Sequence, residues 1–135
     1  MPKPIRCILL VDDDPDDNFL HQLIIDESEL CEQVRISDSG PNALQYLTVT
    51  DHPDYVRPDV LILDINMPGM NGFEFLEEYD KLDSQLKSSI VVLMLTTSLN
   101  PNDKHKASLW TDIKAYRTKP LTSAMIQEIV NTHFT

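Results

Sequence analysis

A chain of 135 residues has the length of one domain and can bury roughly two thirds of its unfolded surface around a single core. Its 22 acidic residues outnumber 11 basic ones, and the net charge of -11 repels nucleic acid and anionic membrane surfaces, which sets both aside as direct partners. The apolar run at residues 7–11 is too short for a signal-peptide core or a membrane span, and no later run is longer than a strand, so the expected location is cytoplasmic.

Residues 7–11 form a continuous apolar run that ends in Asp12, Asp13 and Asp14 and reads as a buried strand. Asp14-Pro15 reads as a helix start, Asp at the N-cap and Pro at the first helical position, with Asp16 and Asp17 near the positive end of the helix dipole. That helix is expected to reach about Ser28 and to pack through Phe19, Leu20, Leu23 and Ile24, leaving His21 on the surface. Cys7 falls inside the strand and Cys31 near a helix end; without metal-type or CxxC spacing, both read as free thiols. Residues 33–36 alternate polar and apolar, the mark of an edge strand. Gly40-Pro41 opens a short helix carrying Ala43, Leu44 and Leu47. The polar stretch 48–57 reads as a long loop, in which His52 has no metal partner nearby in sequence.

Residues 60–63 are apolar and mostly branched, bounded by Pro58 and by Pro68-Gly69, and they read as a buried strand that delivers Asp64 to the mouth of a loop. Phe73, Leu76 and Tyr79, flanked by Phe75 and Leu82, form a third amphipathic helix. Residues 90–95 are another apolar run, ending in the hydroxyls of Thr96, Thr97 and Ser98 where the other two runs end in acids. Pro101 starts a fourth helix to about Leu109, and residues 115–118 form a second alternating edge strand that leads into Lys119-Pro120. A last helix, about 123 to 134, turns Met125, Ile126, Ile129 and Val130 inward.

Five alternations of strand and helix call for an α/β fold, a doubly wound (βα)5 domain with helices on both faces of a parallel five-stranded sheet. Placing the three apolar strands centrally and the alternating ones at the edges yields the flavodoxin-like order 2-1-3-4-5 with right-handed crossovers. Ligands in such sheets bind beyond the carboxyl ends of the strands, where Asp12, Asp13, Asp64, Thr96 and Lys119 emerge. Carboxylates within roughly 4 Å of one another repel by about 4 kcal/mol per pair at an effective dielectric near 20, so a cation is implied. An all-oxygen donor set favours Mg²⁺, which binds through one or two carboxylates plus a phosphoryl group. A metal, a lysine and a threonine hydroxyl around one exposed carboxylate make a site for phosphoryl transfer to that carboxylate. The plainer reading is a structural acid cluster quenched by Lys119.

Val11-Asp12-Asp13, Asp64-Ile65-Asn66-Met67-Pro68-Gly69-Met70-Asn71-Gly72, Leu95-Thr96 and Tyr116-Arg117-Thr118-Lys119-Pro120 together resemble the signature set of bacterial response-regulator receiver domains, over nearly the whole chain. The resemblance implies a stand-alone, chemotaxis-regulator-like receiver at residues 1–135 with no output domain. It would be a two-component phosphoacceptor switch rather than an enzyme, with at most slow self-dephosphorylation. It further implies Asp64 as phosphoacceptor, Asp12, Asp13, Asp64 and the backbone carbonyl of Asn66 as Mg²⁺ ligands, Thr96 and Lys119 on the phosphoryl oxygens, and Thr96 and Tyr116 as the switch pair. It suggests a cis bond before Pro120. The implied partners are a sensor histidine kinase or histidine phosphotransfer protein. A downstream protein, or a second copy of this chain, is expected on the face of helix four, strand five and helix five.

Three departures from the family pattern stand out: no Gly in Asp112-Ile113-Lys114-Ala115, Leu121 in place of a larger residue, and Thr97 after the switch threonine. The runner-up is an aspartyl-phosphate hydrolase of the haloacid dehalogenase type, with Asp12 as nucleophile and Asp14 as acid. Against it stand the capping role of Asp14 and the lack of a second acidic pair after Lys119. An FMN-binding flavodoxin shares the topology, but Asp12 and Asp13 would repel its phosphate.

Overall fold

Among the residues that the computed structural model describes, 3–51, 53, 55–83, 90–97, 100–110 and 113–134, five strands and five helices alternate. The strands are β1 (Ile5–Val11), β2 (Cys31–Ser37), β3 (Val60–Asp64), β4 (Val91–Thr96) and β5 (Ile113–Thr118). The helices are α1 (Pro15–Ser28), α2 (Gly40–Thr48), α3 (Gly72–Asp80), α4 (Pro101–Ser108) and α5 (Ser123–His133). All four strand pairings are parallel and the order is β2-β1-β3-β4-β5, as the patterning predicts. The expected readings of His52 and Ser98 lie outside the described residues.

The continuous apolar runs are continuous because both faces of the central strands are covered. Successive side chains of β3 alternate sides: Leu61 and Leu63 join a core with Leu47, Phe73, Leu76 and Tyr79, whereas Val60 and Ile62 join one with Ile25, Ile126 and Ile129. Helices α2, α3 and α4 therefore cover one face and α1 and α5 the other. The alternation carries the site with it. Leu10 and Ile62 face α1, and two residues on from each come Asp12 and Asp64, on the same side; Met94 and Tyr116 belong to the opposite core, the side to which Thr96 also belongs.

Helix α1 corrects two expectations. Phe19, Leu20 and Leu23 are exposed, Phe19 by 67%, and only Ile24 of the expected stripe packs partly against the core. The inward positions are instead Asn18, His21 and Ile25, so His21 is buried rather than on the surface. The cap sets this phase: the Asp14 carboxylate accepts from the Asp16 and Asp17 N–H groups and Pro15 opens the helix directly beyond Asp12. The first turns of α1 then lie over the polar end of the sheet, where an inward side chain must hydrogen-bond, and Asn18 and His21 can do so where Phe19 and Leu20 cannot. Cys31 stands three residues past the end of α1 and is the first residue of β2, which starts before the alternating stretch 33–36. Both thiols are free and buried, and burial pushes Cys7 up to about 12 and Cys31 to about 11, which leaves them inert. The loop after α2 is tied by Tyr46, whose hydroxyl donates to the Val56 carbonyl at 2.6 Å and accepts from the Val56 N–H at 3.0 Å.

Candidate functional site

Asp64 ends β3 and is held from both sides. The Ile65 N–H donates to the Leu95 carbonyl at 3.2 Å, and the Gly72 N–H donates back to the Ile65 carbonyl at 2.8 Å. Gly72 opens α3 so close to this strand end that an added Cβ would lie 2.8 Å from the Asp64 carbonyl oxygen. Only glycine fits there. Asn71 and Glu74 close a reciprocal capping box at the same helix start, so the loop between is clamped at each end and aims Asp64 into the site. Asp12 follows β1, its backbone carbonyl accepting from the Asn18 side chain at 2.9 Å. Lys119 follows β5; its N–H donates to the Thr96 carbonyl at 2.8 Å, and the bond to Pro120 is cis.

The predicted residues converge. Carboxylate oxygens of Asp12, Asp13 and Asp64 lie within 4.8 Å of one another, with Asp12 and Asp64 buried and Asp13 exposed. The Lys119 ammonium stands 2.7 Å from Asp12, 2.8 Å from Asp17 and 3.4 Å from Asp64. Asp17 is the one member that sequence reasoning missed, having been given only a place near the helix dipole. The available signal was the cap at Asp14, which starts α1 so soon after Asp12 that its first-turn acids must border the site. Thr96 is fully buried, and Tyr116 turns a buried hydroxyl toward it from the neighbouring strand. Asn66 is exposed two residues beyond Asp64, and Thr97 is likewise exposed, one residue beyond Thr96. Leu121 is buried, and its N–H donates to His21 Nε2 at 3.3 Å. Burial and the nearby Lys119 charge hold His21 below its ordinary pKa, in keeping with a neutral ring that accepts.

Burial, reinforced by the charge of Asp12 and opposed by Lys119, raises the Asp64 pKa from 3.8 to about 6. Burial alone would lower the Lys119 pKa, but its hydrogen bonds to Asp12 and Asp17 and the Asp12 and Asp64 charges outweigh that and raise it. Between the two Asp64 values the folded chain holds more protons than the unfolded one, so this group favours folding at acid pH and that contribution is lost as pH rises through about 6. In urea titrations without divalent cations, wild type is expected to lose on the order of 2 kcal/mol relative to Asp64→Asn between about pH 4 and pH 7. A difference that stays constant over that range would contradict the shift.

The donor set fits a hard divalent cation. The three acids are all-oxygen ligands, Asp13 opens the cluster to water, and Asp64 Oδ1 is buried without a hydrogen bond. Asp14, by contrast, is spent on its cap, which leaves Asp12 without the acid partner that a dehalogenase-type hydrolase needs.

The family model for the response regulator receiver domain matches residues 8–131. The chain belongs to the response-regulator receiver family. Response regulator Rcp1 of Synechocystis sp. is 34% identical to it over 118 residues, 87% of this chain and 78% of that one. A two-component response regulator of Oryza sativa is 29% identical over 96% of the chain, which spans only 55% of that longer protein. Among solved structures, a two-component response regulator from Cytophaga hutchinsonii superposes with a TM-score of 0.87 at 32% identity, covering 97% of each chain. A structure of Rcp1 in a Mn²⁺-bound form superposes at 0.73 with 28% identity, over 96% of this chain and 94% of that one. The receiver is thus a component of two-component signalling, a family of switches that accept phosphoryl groups from histidine kinases and act on downstream targets, and the hydrolase reading is not favoured. Among its described residues no helix is long and apolar enough to cross a membrane.

Proposed function

We propose that Asp64 is the phosphoacceptor of this receiver and that its phosphorylation changes a protein-docking face. The observation that carries the reading is the state of the Asp64 carboxylate: buried at the end of a central strand, one oxygen without a hydrogen bond, the Lys119 ammonium 3.4 Å away and two further acids beside it. In the transfer, an Asp64 oxygen forms a bond to the phosphorus while the P–N bond of a donor phosphohistidine breaks, and the freed imidazole takes a proton from solvent. Asp12, Asp13, Asp64 and the Asn66 carbonyl would hold Mg²⁺, which supplies positive charge to the phosphoryl oxygens. Lys119 contributes a second positive charge and Thr96 a hydroxyl donor to the same oxygens. The donor is a sensor histidine kinase or a histidine phosphotransfer protein.

The output face is α4, β5 and α5. A cleft of about 250 Å³ lies there, bordered by Lys104, Ala107, Ile113, Tyr116 and Arg117. Tyr116 lines it while its hydroxyl reaches toward Thr96, so a displacement of Thr96 toward a new phosphoryl group changes the shape of the cleft. Trp110, packed against the core beyond α4, is the only tryptophan and should change its emission when beryllofluoride, a phosphoryl mimic, is added with Mg²⁺. A downstream protein, or a second copy of the chain, docks on this face with a coupling of about 1 to 3 kcal/mol to phosphorylation. Amide hydrogen exchange with and without the mimic tests this: protection should change in α4 and β5. A change confined to the loop after Asp64 would rule the switch out.

A further inference from the structure

We propose that Asp17 is a positioning residue that competes with the incoming phosphoryl group for Lys119, and so sets how readily that lysine turns to its ligand. The proposal rests on Asp64 being the phosphoacceptor. An ammonium has three N–H donors, and Lys119 directs two of them at close carboxylates, Asp12 at 2.7 Å and Asp17 at 2.8 Å, while Asp64 stands off at 3.4 Å. The lysine is therefore drawn toward α1, away from the acid that receives the phosphoryl group.

The two close arms differ in how easily they let go. The Asp12 side chain is 6% exposed and Asp17 is 33% exposed, so water can replace Lys119 at Asp17 but scarcely at Asp12. Asp17 is the exchangeable arm. Helix α1 holds it in place: Asp17 lies in the first turn with its N–H on the Asp14 cap at 3.4 Å, and Asn18 ties the same turn to the Asp12 carbonyl. One turn further on, His21 accepts from the Leu121 N–H, two residues past Lys119. The helix thus grips the lysine by its side chain through Asp17 and by the following backbone through His21. A phosphoryl group on Asp64 brings new anionic oxygens to the weakly engaged side of the ammonium, and a shift of Lys119 toward them draws it off Asp17, the arm that water can replace.

Asp17→Asn keeps the shape and removes the charge. At saturating Mg²⁺, the beryllofluoride concentration giving half occupancy, read by fluorine NMR of the bound mimic, should fall about fivefold in Asp17→Asn, the weight of an ion pair partly open to water. Asp17→Glu should restore the wild-type midpoint. In a Lys119→Met background Asp17→Asn should have no effect, since the competition needs the ammonium. An unchanged or raised midpoint in Asp17→Asn, or the same fall in the Lys119→Met background, overturns the proposal and leaves the phosphoacceptor reading standing. Absence of any bound mimic in wild type overturns both.

Discussion

Incubated with Mg²⁺ and a small phosphodonor, the wild-type chain is expected to gain the mass of one phosphoryl group, and Asp64→Asn none. The substitution keeps the volume of the side chain but leaves an amide in place of the nucleophilic oxygen, and no covalent acceptor replaces it. Asp12 is buried too, but its oxygens are already committed: one accepts from the Asp14 N–H at 3.0 Å and the other from Lys119 at 2.7 Å. Asp64 Oδ1 has no such hydrogen bond. Asp12→Asn should therefore slow the gain without abolishing it, through loss of a metal ligand. Intact-mass spectrometry over a time course separates the cases. Full labelling of Asp64→Asn together with its loss in Asp12→Asn would make Asp12 the nucleophile.

Mg²⁺ should raise the melting temperature of the wild-type chain by about 10 °C at a hundredfold excess over its dissociation constant. Mass action at that excess is worth about 2.7 kcal/mol. An unfolding entropy near 2 cal/mol/K per residue, over 135 residues, converts this to that shift. Asp13→Ala should remove most of the response, since Asp13 is the acid through which the cluster meets solvent. Its exposure also leaves little like-charge repulsion to relieve, so the metal-free melting temperature should move by no more than a few degrees. Scanning calorimetry of the two proteins with and without Mg²⁺ checks both statements. A shift of equal size in Asp13→Ala would exclude Asp13 from the ligand set.

The residues of the candidate site were legible because each ends or follows a strand that can be read locally. An apolar run bounded by Pro or Gly marks a buried strand, and in a parallel sheet all strands deliver their next residue to the same edge, so Asp12, Asp64, Thr96 and Lys119 could be brought together without knowing any distance. The facing of α1 was not legible in this way. Phe19, Leu20, Leu23 and Ile24 fall on one helical face by spacing, and spacing cannot tell whether the neighbour at that point is apolar core or the polar end of a sheet.

What the sequence determined by itself is the order of elements, the sorting of central from edge strands, the cap at Asp14 and the set of strand-end groups, all of which depend on side chains a few residues apart. What only the tertiary structure decided depends on pairs far apart in the chain. Lys119 meets Asp17 across 102 positions, and Leu121 meets His21 across 100. No local pattern encodes such a pairing: it arises because the cap fixes the rotation of α1 while the sheet carries the β5 end to that helix. A lysine brought to a buried edge takes whichever carboxylates stand within about 3 Å of it, since a buried charge must be paired.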